Sequence, residues 1–211
     1  MKLIVFGANG ALGRRLVMEC LERGLEVTAA VRDISRFEGV AREVKVVAAD
    51  ATNPDAVAAV AAGHDAALSA VTQHSHPEVL VAVAQSLLDG LSAAGVARLV
   101  VAGGAGSLYV SDGVRLMDTP DFHDDWKPEA QAQADALDTY RAAETDVDWS
   151  YVSPGALLEP GERTGEYRVG DDHLLTSDDG HSRISMEDFA IAMIDEAVEP
   201  QHSRNRFTAA H

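Results

Sequence analysis

The chain has 211 residues, 46% of them hydrophobic, with 17 basic and 34 acidic side chains and a formal net charge of −17. This is enough chain for one sizeable core, and the acid excess repels nucleic acid and anionic membranes and disfavours a polyanionic substrate. No apolar run approaches a membrane span, the N-terminus enters a strand without a signal-peptide pattern, and the lone Cys20 excludes an intrachain disulfide or a cysteine metal cluster.

These features lead us to expect a soluble cytoplasmic protein folded as one unit, residues 1–211. Short β-like runs alternate with helix-length amphipathic runs, the pattern of an α/β protein on a parallel sheet. A strand at residues 2–6 leads to a helix at 11–23, on which Cys20 shares an apolar face with Leu12 and Leu16 and is expected in the core. Strands are predicted at 26–31, 44–49, 66–70, 98–102 and 149–152, with helices at 54–62, 77–94 and 128–143 between them. Pro54, Pro77 and Pro128 head these three helices, where the missing amide hydrogen is not needed. Residues 79–91 are apolar nearly all round, so that helix is deeply buried or faces a second subunit, which leaves monomer and homodimer open. Tyr140, three residues after Leu137, is expected to face the sheet.

The rhythm changes after Pro154. Residues 166–169 and 173–176, joined through Gly170, Asp171 and Asp172, read as a hairpin. Ser185 and Asp188 have the spacing of an N-cap and its third helical position ahead of an apolar-periodic helix, and a strand at 206–209 closes the chain. This portion, 155–211, is too small for a core of its own. It is expected to fold over the sheet edge and wall the substrate side.

The stretch GANGALG, from Gly7 to Gly13, carries the chemistry. A dinucleotide diphosphate needs a tight turn after a strand, backbone close enough to donate amides, and a helix N-terminus aimed at the charge. Gly7, Gly10 and Gly13 supply these, with Asn9, Ala11 and Leu12 completing the loop and first turn. The alternative is a turn that only packs helix on strand. The GxxGxxG spacing resembles the short-chain dehydrogenase/reductase superfamily, in particular its extended and atypical branches.

In open α/β sheets ligands bind beyond the carboxyl ends of the strands. After the second strand, Arg32, Ser35 and Arg36 make a cationic fork suited to a 2′-phosphate, which favours NADPH. Asp33 is the counter-argument: with a strand one residue longer it would take a ribose hydroxyl, and NAD would be used. Asp50 and Ala51 end the third strand, a position that in the resembling superfamily approaches the adenine, although Asp50 can equally cap its turn. Ser69, Ala70 and Val71 end the fourth, where small residues let backbone run along the ribose. His74 and His76 form a His-x-His without a carboxylate or cysteine at ligand spacing, and no metal is expected.

The superfamily's usual tyrosine with a lysine four residues later is absent: Tyr109, Tyr140, Tyr151 and Tyr167 are followed at that spacing by Gly113, Glu144, Gly155 and Asp171. The segments VRDISR, VVAGGAGSLYV, YVSPG and DDGHSRISMEDFA together resemble the atypical branch that includes biliverdin-IXβ/flavin reductases and NmrA-like NAD(P)-binding proteins. The resemblance spans nearly the whole chain. It implies a Rossmann-type doubly wound sheet, coenzyme contacts at Gly103 and Gly104, Ser107 as the catalytic side chain near the nicotinamide, and Pro154 beside that ring. It further implies hydride transfer from NADPH to a conjugated acceptor such as a flavin or quinone, which can take its proton from water. Residues 108–127 lie where a substrate lid would be, with Tyr109, Met117, Phe122 and Trp126 as candidate acceptor contacts, or as residues that merely anchor the loop. His123 is a candidate proton donor or a solvent-facing histidine. An NmrA-like redox sensor without catalysis is the second reading. A sugar-nucleotide epimerase is a third, opposed by the missing dyad and the short C-terminal region.

Overall fold

The computed structural model describes residues 1–37, 44–72 and 75–211. The first half runs β1 (Lys2–Phe6), α1 (Ala11–Glu22), β2 (Glu26–Val31), β3 (Lys45–Ala48), α2 (Pro54–Ala61), β4 (Ala66–Ser69), α3 (Val79–Ala94) and β5 (Arg98–Ala102). A small hairpin of β6 (Tyr109–Ser111) and β7 (Val114–Arg115) precedes α4 (Lys127–Ala142) and β8 (Asp148–Pro154). The chain ends with β9 (Leu157–Glu159), β10 (Arg168–Gly170), β11 (Arg183–Ser185), α5 (Met186–Val198) and β12 (Asn205–Ala210). Among the described residues the central sheet has the order β10-β12-β8-β5-β4-β1-β2-β3, parallel throughout except for the β10–β12 pair. It is a doubly wound α/β fold whose strand order reverses between β1 and β4, the place where such sheets bind ligands.

Strand alternation explains the layering. In β1, Leu3 and Val5 point to the face covered by α1 and α5, while Ile4 and Phe6 point to the face covered by α2, α3 and α4. Each fully buried aliphatic or aromatic side chain contributes about 1.5–3 kcal/mol, so a one-residue slip would be prohibitive. Helix starts follow from caps: Asn53 accepts from the Asp55 and Ala56 amides with Pro54 behind it, and Ser185 accepts from the Asp188 amide at 3.0 Å. Tyr140 lies in the core with its ring 5.7 Å from Trp149, and α3 buries its apolar stripe between α2 and α4.

Two expectations are corrected. Pro77 is not in α3: the Val79 and Leu80 amides bond to the His76 and Pro77 carbonyls in a preceding turn, and the helix begins at Val79. Nor do residues 166–169 and 173–176 pair with each other. Arg206 and Thr208 of β12 bond to Asp172 and to the Asp171 carbonyl, which draws that turn onto β12. β10 therefore pairs with β12, and His173 bridges Tyr109. The tail is thus built into the sheet at its β10–β12 edge, with α5 packed on α1.

Cys20 is fully enclosed, and burial pushes its thiol up to about 12. A thiol of that kind is inert. We expect a thiol-specific reagent to label Cys20 only after denaturant is added; stoichiometric labelling of the native protein would contradict the burial.

Candidate coenzyme and acceptor site

Gly7 follows β1 with φ +77°, and a Cβ there would lie 2.7 Å from the Ala70 carbonyl oxygen. The Gly10 amide closes the turn onto the Gly7 carbonyl at 3.0 Å, and a Cβ at Gly13 would come within 2.1 Å of that same oxygen. The loop is therefore pressed between the exit of β4 and the first turn of α1. Gly10 is the N-cap of α1; among the described residues no side chain caps this end, and no acid lies in its first turn. Its leading amides are left to an anion. Arg14, one turn into α1, braces the loop by donating to the Asn9 side chain at 2.6 Å and to its carbonyl at 3.1 Å.

A cleft of about 330 Å³ opens on the β2–β3 side of this loop and brings together Gly7, Asn9, Gly10, Arg32, Arg36, Asp50, Ala51, Ala70 and Val71, with Asp33, Thr52 and Thr72 beside them. Asp33 caps the short helical turn Ile34–Arg36. One of its oxygens accepts from the Ser35 hydroxyl at 2.7 Å and from the Ser35 amide at 3.0 Å, and these bonds, with the charge of Arg36, hold it below the usual carboxylate range. Ser35 thus serves Asp33 and is not in the lining. Asp50 is lowered in the same way, by the Thr52 amide and hydroxyl with help from Arg32, so it caps its turn and faces the cleft at once. Ser69 is buried within β4.

A second cleft, of about 380 Å³, meets the first at Gly10, Ala70 and Thr72. It collects Ala11, Leu12, Gly103, Gly104, Phe122, Trp126 and Pro154, together with residues that sequence did not single out: Leu116, Glu129, Gln133, Ala156, Leu158 and Met186. Gly103 must be glycine, because a Cβ would sit 1.9 Å from the Tyr151 ring. That ring is fixed by its hydroxyl donating to Gln133 at 2.8 Å, and burial raises its pKa strongly. Phe122 and Trp126 meet edge to face with centroids 6.0 Å apart, and Trp126 is 62% exposed at the rim.

Three expected contacts lie elsewhere. Met117 is buried against Ala130 and Ala134 and anchors the loop. Tyr109 packs its ring on His173, 6.0 Å away, and bonds through its backbone to Asp172 and Leu174. The Ser107 hydroxyl accepts from Arg206 Nη1 at 2.8 Å and is not in the lining, while buried Arg206 also donates to Asp172 at 2.5 Å. An arginine inside the short apolar strand of residues 206–209 was the signal for this clamp. His123 is exposed, accepts from the Asp125 amide and stacks loosely on Trp126. His76 is exposed beside Glu78; His74 lies outside the described residues, among which no group of three metal-capable side chains occurs.

An uncapped helix N-terminus between an arginine-bearing cleft and an apolar cleft suits a dinucleotide, and the NAD(P)H-binding family matches residues 7–197. The chain belongs to that family. YwnB of Bacillus subtilis (strain 168), itself uncharacterized, is 36% identical over 216 residues, which cover 99% of this chain and 97% of YwnB. A predicted exported protein from Burkholderia pseudomallei is 41% identical, with each chain covered completely and a TM-score of 0.91. SP1627 of Streptococcus pneumoniae TIGR4, a predicted NADH-flavin reductase, is 34% identical, with 100% and 99% coverage and a TM-score of 0.87. Among the described residues no helix is long and apolar enough to cross a membrane.

Proposed function

We propose that the protein is a cytoplasmic NADPH-dependent oxidoreductase that passes a hydride to a conjugated small-molecule acceptor, a flavin or quinone. The observation that carries this reading is the junction of the two clefts at the uncapped start of α1. One end suits an adenosine phosphate and the other a planar ring, with a diphosphate between them. Bound NADPH would supply the hydride. The chain's residues bind and align: first-turn amides hold the diphosphate, and the backbone of Gly103 and Gly104 runs beside the nicotinamide, with Tyr151 and Gln133 filling the space their missing side chains leave. Phe122 and Trp126 cover the acceptor. Ser107, joined to Arg206, holds the end of the Gly103–Gly106 loop and so acts as a positioning residue. SP1627's name supports the chemistry.

Two features support NADPH over NADH. β2 stops at Val31, so Arg32 reaches the cleft first, and the Asp33 carboxylate is engaged by Ser35. The test is oxidation of NADPH and NADH by purified protein with riboflavin, FMN and menadione, alongside Arg32→Ala. A charge-assisted hydrogen bond is worth about 1.5–3 kcal/mol, so the variant should raise the KM for NADPH by roughly 10- to 100-fold and leave that for NADH nearly unchanged. An unaltered coenzyme preference would remove Arg32 from the site. Tight NADPH binding without turnover of any acceptor would replace the reductase with a redox sensor.

A further inference from the structure

Resting on the NADPH reading, we propose that Arg14 is a third phosphate-binding cation of the first cleft, held by Asn9 so that its guanidinium meets the coenzyme 2′-phosphate together with Arg32 and Arg36. α1 opens with Ala11, Leu12, Gly13 and Arg14 on the Gly10 N-cap. Helical side chains lean toward the N-terminus, and Arg14 does so, with Nε 3.1 Å from the Asn9 carbonyl oxygen and Nη2 2.6 Å from the Asn9 side-chain oxygen. Its charge is therefore carried back past the N-cap to the residue before it. Asn9 lines the first cleft, where Arg32 and Arg36 stand, and not the second. That position assigns Arg14 to the adenosine end of the coenzyme rather than to the acceptor end.

A cation in this place works against the helix. The macrodipole disfavours positive charge at a helix N-terminus, and tying a long side chain back to the loop costs rotamer freedom as well. The neighbouring Arg15 is offset by the Glu187 carboxylate at 2.6 Å, whereas Arg14 gives its bonds to the neutral oxygens of Asn9. An anionic ligand supplies the missing reason. With Nε and Nη2 turned to Asn9, Nη1 is the end that a phosphate oxygen would meet, and the planar fork suits phosphate geometry. Asp33 and Asp50, both held below the usual carboxylate range, share the cleft wall with Arg32 and Arg36. A dianionic phosphate there gains from a cation arriving on the glycine-loop side.

The two coenzymes and adenosine 2′,5′-bisphosphate separate a 2′-phosphate contact from a role in the loop. By calorimetry at low ionic strength, Arg14→Gln is expected to raise the Kd for NADPH by roughly tenfold, the loss of one charge-assisted hydrogen bond. It should weaken the bisphosphate in parallel and leave the Kd for NADH within about twofold. The melting temperature without coenzyme should hold or rise slightly, since a cation leaves the helix start. Should Arg14→Gln fold poorly, Arg14→Lys keeps the charge without the fork, and its smaller loss should fall on NADPH and the bisphosphate alone. Equal losses for NADPH and NADH would overturn the proposal by making Arg14 a brace of the loop or a diphosphate contact, and unchanged NADPH affinity would overturn it outright while leaving the coenzyme reading to Arg32→Ala. Wild-type protein that bound neither NADPH nor the bisphosphate would refute the proposal and the coenzyme reading together. A selective loss of NADPH in a protein that turns over no acceptor would support Arg14 while refuting the reductase.

Discussion

Gly13→Ala is expected to weaken coenzyme binding by at least roughly 100-fold, about 2.7 kcal/mol, and to lower thermal stability as well. The added Cβ would stand 2.1 Å from the Gly7 carbonyl oxygen and 2.8 Å from the Ala8 Cα, and both neighbours are backbone. Gly7 cannot retreat. It holds φ +77°, and its own Cβ position lies 2.7–2.9 Å from the Ala70 carbonyl and the Val71 amide. Relief therefore requires opening the turn closed by the Gly10 amide on the Gly7 carbonyl, which carries the α1 amides away from the diphosphate. Gly24→Ala is the control: at φ +68° with nothing near its Cβ, it meets only backbone strain of about 1–3 kcal/mol, and coenzyme affinity should be unchanged. Calorimetry with NADPH and a thermal melt read both variants. Wild-type affinity in Gly13→Ala would mean that the loop is not the cradle.

Apart from the short β6–β7 hairpin, the order of strands and helices through β8 is legible in the sequence because each segment declares itself locally. Strands of the parallel sheet are buried on both faces and read as apolar runs, and Asn53, Pro54 and Ser185 mark helix starts through their own hydrogen-bonding chemistry. The pairing of the tail's strands is not legible in this way. The partner of β10 is β12, which arrives only after β11 and α5, and a Gly-Asp-Asp turn looks like a hairpin until Arg206 and Thr208 claim its carboxylate and carbonyl.

The site divides along the same line. The glycine loop, Arg32, Arg36, Asp50 and Ala70 follow strand ends and could be read from topology alone, since ligands gather at the carboxyl edge. Glu129 and Gln133 could not: they belong to α4, whose orientation is set by its packing on α3, and nothing in a helix rich in alanine says which polar side chain faces the cleft. Ser107 is implied by the family resemblance, and Tyr109 and Met117 by their place in a segment that sits where a lid would be. The chain leaves the cleft after Gly106, and Arg206, His173 and Ala130 respectively hold these three.

At the other end of the sheet, Glu196→Ala is expected to destabilise the fold by about 3–5 kcal/mol without touching the clefts. Arg98, 7% exposed at the start of β5, donates to the Glu196 carboxylate at 2.6 Å, to its carbonyl at 3.0 Å and to the Ser150 hydroxyl at 2.7 Å. The same carboxylate accepts from the amides of Gln201 and His202 and from the His202 ring at 2.8 Å, tying α5 and the approach to β12 onto β5 and β8. Truncation takes the acceptor from two amides and leaves the buried guanidinium only the longer pairing to Asp148, at 3.3 Å, for its charge, whereas Glu196→Gln preserves the shape and should cost less. Burial by itself would raise the Glu196 pKa, but His202, Ser150 and Arg98 outweigh it and hold it below the ordinary value near 4.5. A carboxylate lowered in the folded state contributes its full stability above that ordinary value and loses it as pH falls through the folded pKa. Urea unfolding should therefore show stability declining below about pH 4.5, with a shallower decline in Glu196→Gln. A loss under about 1 kcal/mol in Glu196→Ala would place the pair in the class of solvated surface bridges, and would mean that water reaches Arg98 as soon as the carboxylate is gone.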